Sequence, residues 1–139
     1  MYPITHILSC SPAHEVAALS ATVLARYPAE ALVFITEPRT ALVQLRMAEG
    51  VAESQFNAGE ILVSEALLEL AGHFGFGMVI GRDLQHATAL AILDAALRMP
   101  GDPHADLRPH IDALSAALAA AQERRFAAAA ATRVVFDTF

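Results

Sequence analysis

At 139 residues with a formal net charge of −6, the chain has room for one domain. All nine basic residues are arginines, so Schiff-base chemistry and a P-loop lysine are excluded. The arginines are scattered and make no basic face of the kind a nucleic-acid binder carries, so no nucleic-acid partner is expected.

Hydrophobic residues make up 55% of the sequence and the mean hydropathy is +0.44. The apolar runs nevertheless fall well short of the ~20 residues that cross a bilayer. No basic-then-apolar leader is read at the start, and a cytoplasmic protein is expected. The apolar surplus must then go into a large core, a partner surface, or both. Cys10, the single cysteine, permits neither an intrachain disulfide nor a cysteine-rich metal site.

In chain order, residues 2–10 place Ile4, Ile7 and Leu8 at helical spacing, a short leading helix. Ser11-Pro12 reads as a second helix start, with Ser11 as cap and Pro12 in the first turn. Its stripe is Pro12, Val16, Leu19, Val23 and Tyr27, and Pro28 ends it. Residues 30–36 and 40–47 are rich in strand formers, and Glu37-Pro38-Arg39 between them suggests an antiparallel hairpin. Residues 48–58 are small and polar and read as a mobile loop. Residues 59–71 and 73–80 follow as strands, paired antiparallel across Ala71-Gly72.

The stretch from Gly72 to Asp94 organises the chain. Strand alternation puts Phe74, Phe76, Met78 and Ile80 on one face, a set suited to a core. His73, Gly75, Gly77, Val79 and Gly81 share the other, nearly bare face. Glycine weakens a strand, so something is expected to lie close against that backbone. Asp83 is placed to cap the helix 84–98, whose stripe is Leu90, Leu93 and Leu97. Asp94 lies inside that stripe and is expected to hold a neighbouring backbone group.

Residues 99–105 are a Pro/Gly-rich linker. A last helix over 106–131 carries Leu107, Ile111, Leu114, Leu118, Ala121, Arg125 and Ala128 on a narrow seam for another helix, in the same chain or a partner. The apolar tail 133–139 suits docking or an edge strand. The fold class is α+β: residues 1–139 as one domain, an antiparallel sheet of about four strands, helices on one side, and a long Ala-rich C-terminal helix.

Six histidines make no zinc motif, and Asp83-x-x-His86 alone is too weak to argue for one, so no metal site is expected. His104 and His110 flank the linker and helix start and read as solvated. Cys10 has no evident base partner and no G-x-S-x-G elbow is present. Gly75-Phe76-Gly77 is not a dinucleotide fingerprint, since Ile80 stands where the third glycine belongs. What remains is the turn Gly81-Arg82-Asp83 with Gln85 and His86. A helix N-terminus beside an arginine suits an anion, while the carboxylate of Asp83 opposes one. Asn57 and Glu60, in Asn57-Ala58-Gly59-Glu60, form a second polar corner, either a turn or the edge of a partner site.

The blocks ALVQLRM (41–47), FNAGEILV (56–63), GFGMVIGRDLQHA (75–87), LDAAL (93–97) and TRVVFDTF (132–139) together resemble the PhnG family. That family is the small subunit of the bacterial carbon–phosphorus lyase core complex. The chain departs from the pattern in loop 48–55 and at Ser64-Glu65, where a threonine and a basic residue are expected.

The resemblance implies phosphonate catabolism with PhnI, PhnH, PhnJ and PhnL subunits as partners. With PhnH, PhnI and PhnL the chain is expected to replace the adenine of ATP by a phosphonate at the ribose C1′ carbon, and PhnJ to act later as the iron–sulfur lyase subunit. It implies no cofactor held by this chain alone, with ATP and Mg as substrate of the complex. For a lysine-free chain of net charge −6, an architectural subunit lending a few side chains to a shared site is the favoured reading. Arg82 is then the candidate for an anion and His86 for proton transfer, followed by Asn57, Glu60 and Asp83. The alternatives are a homodimeric structural or binding domain without chemistry, and an independent small enzyme using Arg82 and His86.

Overall fold

The computed structural model describes residues 3–51 and 54–133. The apolar stretch 134–139 and the loop residues 52 and 53 lie outside the described residues. Helices α1 (Ile4–Cys10) and α2 (Ala13–Leu24) lead into strands β1 (Leu32–Ala48), β2 (Gln55–Leu70) and β3 (His73–Ile80). Helices α3 (Leu84–Leu97) and α4 (Arg108–Ala131) complete the fold, with single 3₁₀ turns at Ala29–Ala31 and Ala105–Leu107. The sheet is antiparallel in the order β1-β2-β3. The class is α+β as expected, with three strands among the described residues rather than four.

The missing strand is accounted for by Glu37-Pro38-Arg39, which runs on inside β1 instead of turning. β1 is an edge strand, where a proline's missing N–H costs no ladder bond if it points outward. Between Phe34 and Arg39, β1 advances five residues while β2 moves from Leu68 to Glu65, and the register slips twice. The extra residues are absorbed as bulges. The opposite slip occurs where Leu45 faces Gly59 and Arg46 faces Asn57. β2 also begins earlier than expected, so residues 55–58 are strand; Glu49 N–H and Ser54 O close the turn at 2.8 Å. At the first helix junction, Pro12 rather than Ser11 occupies the cap position of α2. The Ser11 hydroxyl instead donates to Ile7 O at 2.6 Å, back into α1.

β2 and β3 meet at a two-residue turn in which Ala71 (φ 48°) and Gly72 (φ 82°) are both left-handed, the backbone sense that matches strand twist. Leu70 pairs with His73, and the register then runs regularly to Val63 and Ile80. This register places Gly75, Gly77 and Val79 beside Leu68, Ala66 and Ser64. That face is buried. Phe74, Phe76 and Ile80, expected in the core, are 63%, 42% and 79% exposed on the other.

The glycine face does hold something close: helix α3. A Cβ on Gly75 would collide with the Ala91 carbonyl oxygen and stand 2.7 Å from Ala95 Cβ. One on Gly77 would strike the Ala87 carbonyl oxygen and stand 2.7 Å from Ala91 N. Small residues on both partners bring helix backbone onto strand backbone. The large apolar residues of β3 cannot fit there, so they face outward.

α3 is buried all round, as an apolar helix with no polar face must be. Ala87, Ala91 and Ala95 meet the sheet, and Leu93 and Ile92 join Val16, Val23, Ile7 and Leu8 in the core. Asp94 behaves as expected: its Oδ2 accepts the Phe76 backbone N–H at 3.0 Å, and its Oδ1 pairs with Arg98 at 2.9 Å. An N–H on the β3 edge, which has no strand partner among the described residues, is satisfied by the helix. In α4, Pro109 sits in the first turn, and Ile111 and Leu114 are buried. The seam fades after Leu118, and from Glu123 to Arg133 every residue is exposed.

Adding a methyl at either glycine should be costly because its obstacle is backbone. Gly75→Ala and Gly77→Ala are each expected to lose about 2–3 kcal/mol or more in urea unfolding. Phe74→Ala, on the exposed face, should lose less than about 1 kcal/mol.

Candidate functional site

The turn after β3 is held from the neighbouring strand. Gly81 takes φ 92°, and its N–H donates to Leu62 O at 2.8 Å. Fully buried Ser64 donates its hydroxyl to Gly81 O at 2.7 Å and accepts the Asp83 N–H at 2.9 Å. Asp83 Oδ1 then accepts the His86 N–H at 3.0 Å and caps α3 as expected. The residue that organises this turn, Ser64, was read from sequence only as a departure from a family pattern. Its serine-in-a-strand signature gave no hint of a partner seventeen residues away.

The five candidate residues fall into different environments. Arg82 is exposed on the turn, and among the described residues it makes no ion pair. Asp83 is half-buried and engaged by the cap. His86 is buried, 8% exposed, and its Nε2 lies 2.8 Å from the Leu8 carbonyl oxygen. The oxygen is an acceptor only, so Nε2 carries the proton and donates it. This bond ties α1 to α3 and engages one of the two ring nitrogens.

Glu60 and Asn57 are exposed on the part of β2 that runs past β3, opposite Gln44 and Arg46 of β1. Strand alternation puts Glu60 on the face of Ser64, the face that α3 covers further along. The turn thus offers an exposed cation at a helix start, with a carboxylate further along the same sheet face. Such a set can hold an anion at the surface through Arg82 and the first helical N–H groups.

Other polar groups differ from their sequence reading. His104 is 1% exposed rather than solvated, whereas His110 is exposed. The Cys10 thiol does have a base nearby, with the exposed His6 ring nitrogens at 3.9 and 4.0 Å one helical turn away. A groove of about 450 Å³ opens between α2 and α4, lined by Glu15, Leu19, Thr22, Asp106, His110 and Leu114. It contains none of the five candidates. Among the described residues no cluster of three or more His, Cys, Asp or Glu side chains is arranged to hold a metal ion. No helix among them is long and apolar enough to cross a membrane.

Substitutions separate the structural from the exposed candidates. His86→Ala leaves the buried Leu8 carbonyl without its donor and should cost about 1–3 kcal/mol by denaturant titration. Arg82→Ala should change stability by no more than about 0.5 kcal/mol.

Residues 3–139 match the family model described as "Phosphonate metabolism protein PhnG". A curated relative, the "Alpha-D-ribose 1-methylphosphonate 5-triphosphate synthase subunit PhnG" of Rhizobium meliloti (strain 1021), is 35% identical over 102 residues. That stretch is 73% of this chain and 65% of the relative, so the match spans just under two thirds of the relative's length. The chain belongs to the PhnG family of phosphonate-metabolism proteins.

Proposed function

We propose that this chain is a subunit of the carbon–phosphorus lyase system that supports transfer of the ribose 5-triphosphate moiety of ATP to a phosphonate, with release of adenine. The observation that carries the architectural part of this reading is the uncovered apolar surface of the sheet. Phe74, Phe76 and Ile80 of β3 and Val33 of β1 lie on the face opposite α3, all at least 42% exposed. β1 and β2 run on past β3 as a two-stranded ribbon, with Leu42, Val43, Leu45, Met47 and Phe56 between 38% and 63% exposed. A two-stranded ribbon with one apolar side, that of Val43, Leu45, Met47 and Phe56, is marginal in water, and a patch of this kind marks a protein–protein surface. The occupants consistent with family membership are the PhnI, PhnH and PhnJ subunits, with PhnL.

The reaction needs charge neutralisation along a triphosphate and a proton for the departing base. A lysine-free chain of net charge −6 is a poor sole host for either. Arg82 is the side chain best placed to lend a cation to a shared anion site. Asp83 orders the turn that presents it, and His86 contributes by fixing α1 against α3. Asn57 and Glu60 belong to the ribbon and are assigned to the interface. ATP with Mg enters as substrate of the assembly.

Co-expression with the other subunits, with the tag on this chain alone, tests the assembly. Light scattering should give a mass well above a dimer. Replacing Phe76 and Leu45 by aspartate should release the partners while leaving the monomer's circular dichroism unchanged. A tagged chain that elutes as a lone dimer would support the homodimeric domain instead. Arg82→Ala in the intact assembly should slow adenine release at least ten-fold without loss of partners, as expected for a charged group facing developing charge. Adenine release by the chain alone would support the independent enzyme.

A further inference from the structure

One buried titratable side chain away from the α3 turn has both ring nitrogens engaged. His104 lies in the connection between α3 and α4. Its Nδ1 is 2.9 Å from Arg26 Nη1, and its Nε2 is 2.7 Å from the Tyr27 hydroxyl. That hydroxyl in turn lies 3.2 Å from the Met99 sulfur.

A guanidinium has donors only, so Nδ1 must accept and carries no proton. The neutral ring therefore keeps its proton on Nε2 and donates it to the Tyr27 oxygen. The Tyr27 hydrogen goes on to Met99 Sδ. Donors and acceptors match from Arg26 through His104 and Tyr27 to Met99, and only this tautomer fits. On its other side the Arg26 guanidinium forms a two-pronged pair with Asp106, Nη1 to Oδ1 at 3.0 Å and Nη2 to Oδ2.

The groups that face the ring are Arg26 and Tyr27 from the end of α2, Met99 after α3, and Asp102 and Asp106 before α4. Burial first, and then the charge of Arg26, hold the imidazole pKa below its ordinary value near 6.5; Asp106 and Asp102 pull the other way.

We propose that this hydrogen-bonded chain is a proton-operated latch that fixes the direction in which α4 leaves the body. α4 is buried at Ile111 and Leu114 near its start and also packs on α1, so the way its base is held contributes to its direction. Arg26, His104 and Asp106 join the end of α2 to the residues that start it. A proton taken up at Nδ1 sets an N–H against the guanidinium, donor against donor, and adds a positive charge beside an existing one. The Arg26–His104 bond is then lost, and the base of α4 is held to the end of α2 more loosely, by the Arg26–Asp106 pair and the His104–Tyr27 bond.

The folded ring binds its proton less readily than the ring in the unfolded chain. The stabilisation is therefore complete above about pH 6.5 and declines as pH falls below it.

The full-length ¹⁵N-labelled chain tests this by long-range ¹H–¹⁵N spectra and hydrogen exchange. At pH 7.5 His104 should show the Nε2–H tautomer, with a titration midpoint below the ordinary histidine value of about 6.5. Across that midpoint, amide protection at residues 105–112 should fall roughly ten-fold or more, the worth of a hydrogen bond to a charged group, while β2 and β3 keep theirs. Arg26→Gln keeps a donor for Nδ1 and removes the charge. It should move both the midpoint and the loss of protection to higher pH, which a change at buried His86 would not follow. His104→Gln should abolish the step at residues 105–112. An Nδ1–H tautomer, a midpoint at or above about 6.5, or protection that ignores the titration would each overturn the latch.

Discussion

The separation between β3 and α3 is the constraint on which the rest of the structure depends. Gly75 and Gly77 leave no room for a single methyl before the carbonyls of Ala91 and Ala87. At that distance a helix can sit on a sheet only if its contacting positions are alanine, and α3 supplies Ala87, Ala91 and Ala95. The remaining sides of α3 must then be apolar too, because α1 and α2 cover them. This explains a helix with no polar face, and it explains where the chain's surplus of hydrophobic residues begins.

A helix so enclosed can keep polar side chains only where each meets a defined partner. Asp94 takes the Phe76 N–H, His86 gives its proton to Leu8 O, and Thr88 returns its hydroxyl to Leu84 O. Buried polar groups left unpaired would cost about as much as a hydrogen bond each, and among the described residues none is left so. The same logic governs Ser64 and His104. The polar residues nearest the core are therefore fasteners between elements.

Much of this was legible in the sequence because it is local. The cap at Asp83, the turn at Ala71-Gly72, the backbone partner of Asp94 and the close approach at the β3 glycines all follow from residue type and spacing. The failures are failures of range. Alternation separates two faces but does not say which one is covered, and the larger side chains were assigned to the core when small residues on both partners had claimed it. Pro38 punctuates most strands, yet an outer edge tolerates it, so two strands proved to be one. His104 is flanked by linker residues, and nothing local reveals Arg26 and Tyr27 nearly eighty positions earlier. At the site, the position of Arg82 could be read, but the burial of His86 depended on α1 lying across it.

The outward turn of the β3 aromatics has a consequence for how the chain exists in solution. Fully burying a Phe, Ile, Leu or Val side chain contributes about 1.5–3 kcal/mol relative to exposure. On β3 the chain forgoes that gain at Phe74, Phe76 and Ile80, because the opposite face must stay bare for α3. Along the ribbon it forgoes it again at Leu42, Leu45, Met47 and Phe56, where no third strand or helix among the described residues covers either side. A monomer would gain by replacing these residues with polar ones, since none of them supports α3. Their presence is accounted for if the covering layer comes from another chain. The glycines that fix the internal packing thus also determine which surface is left for assembly.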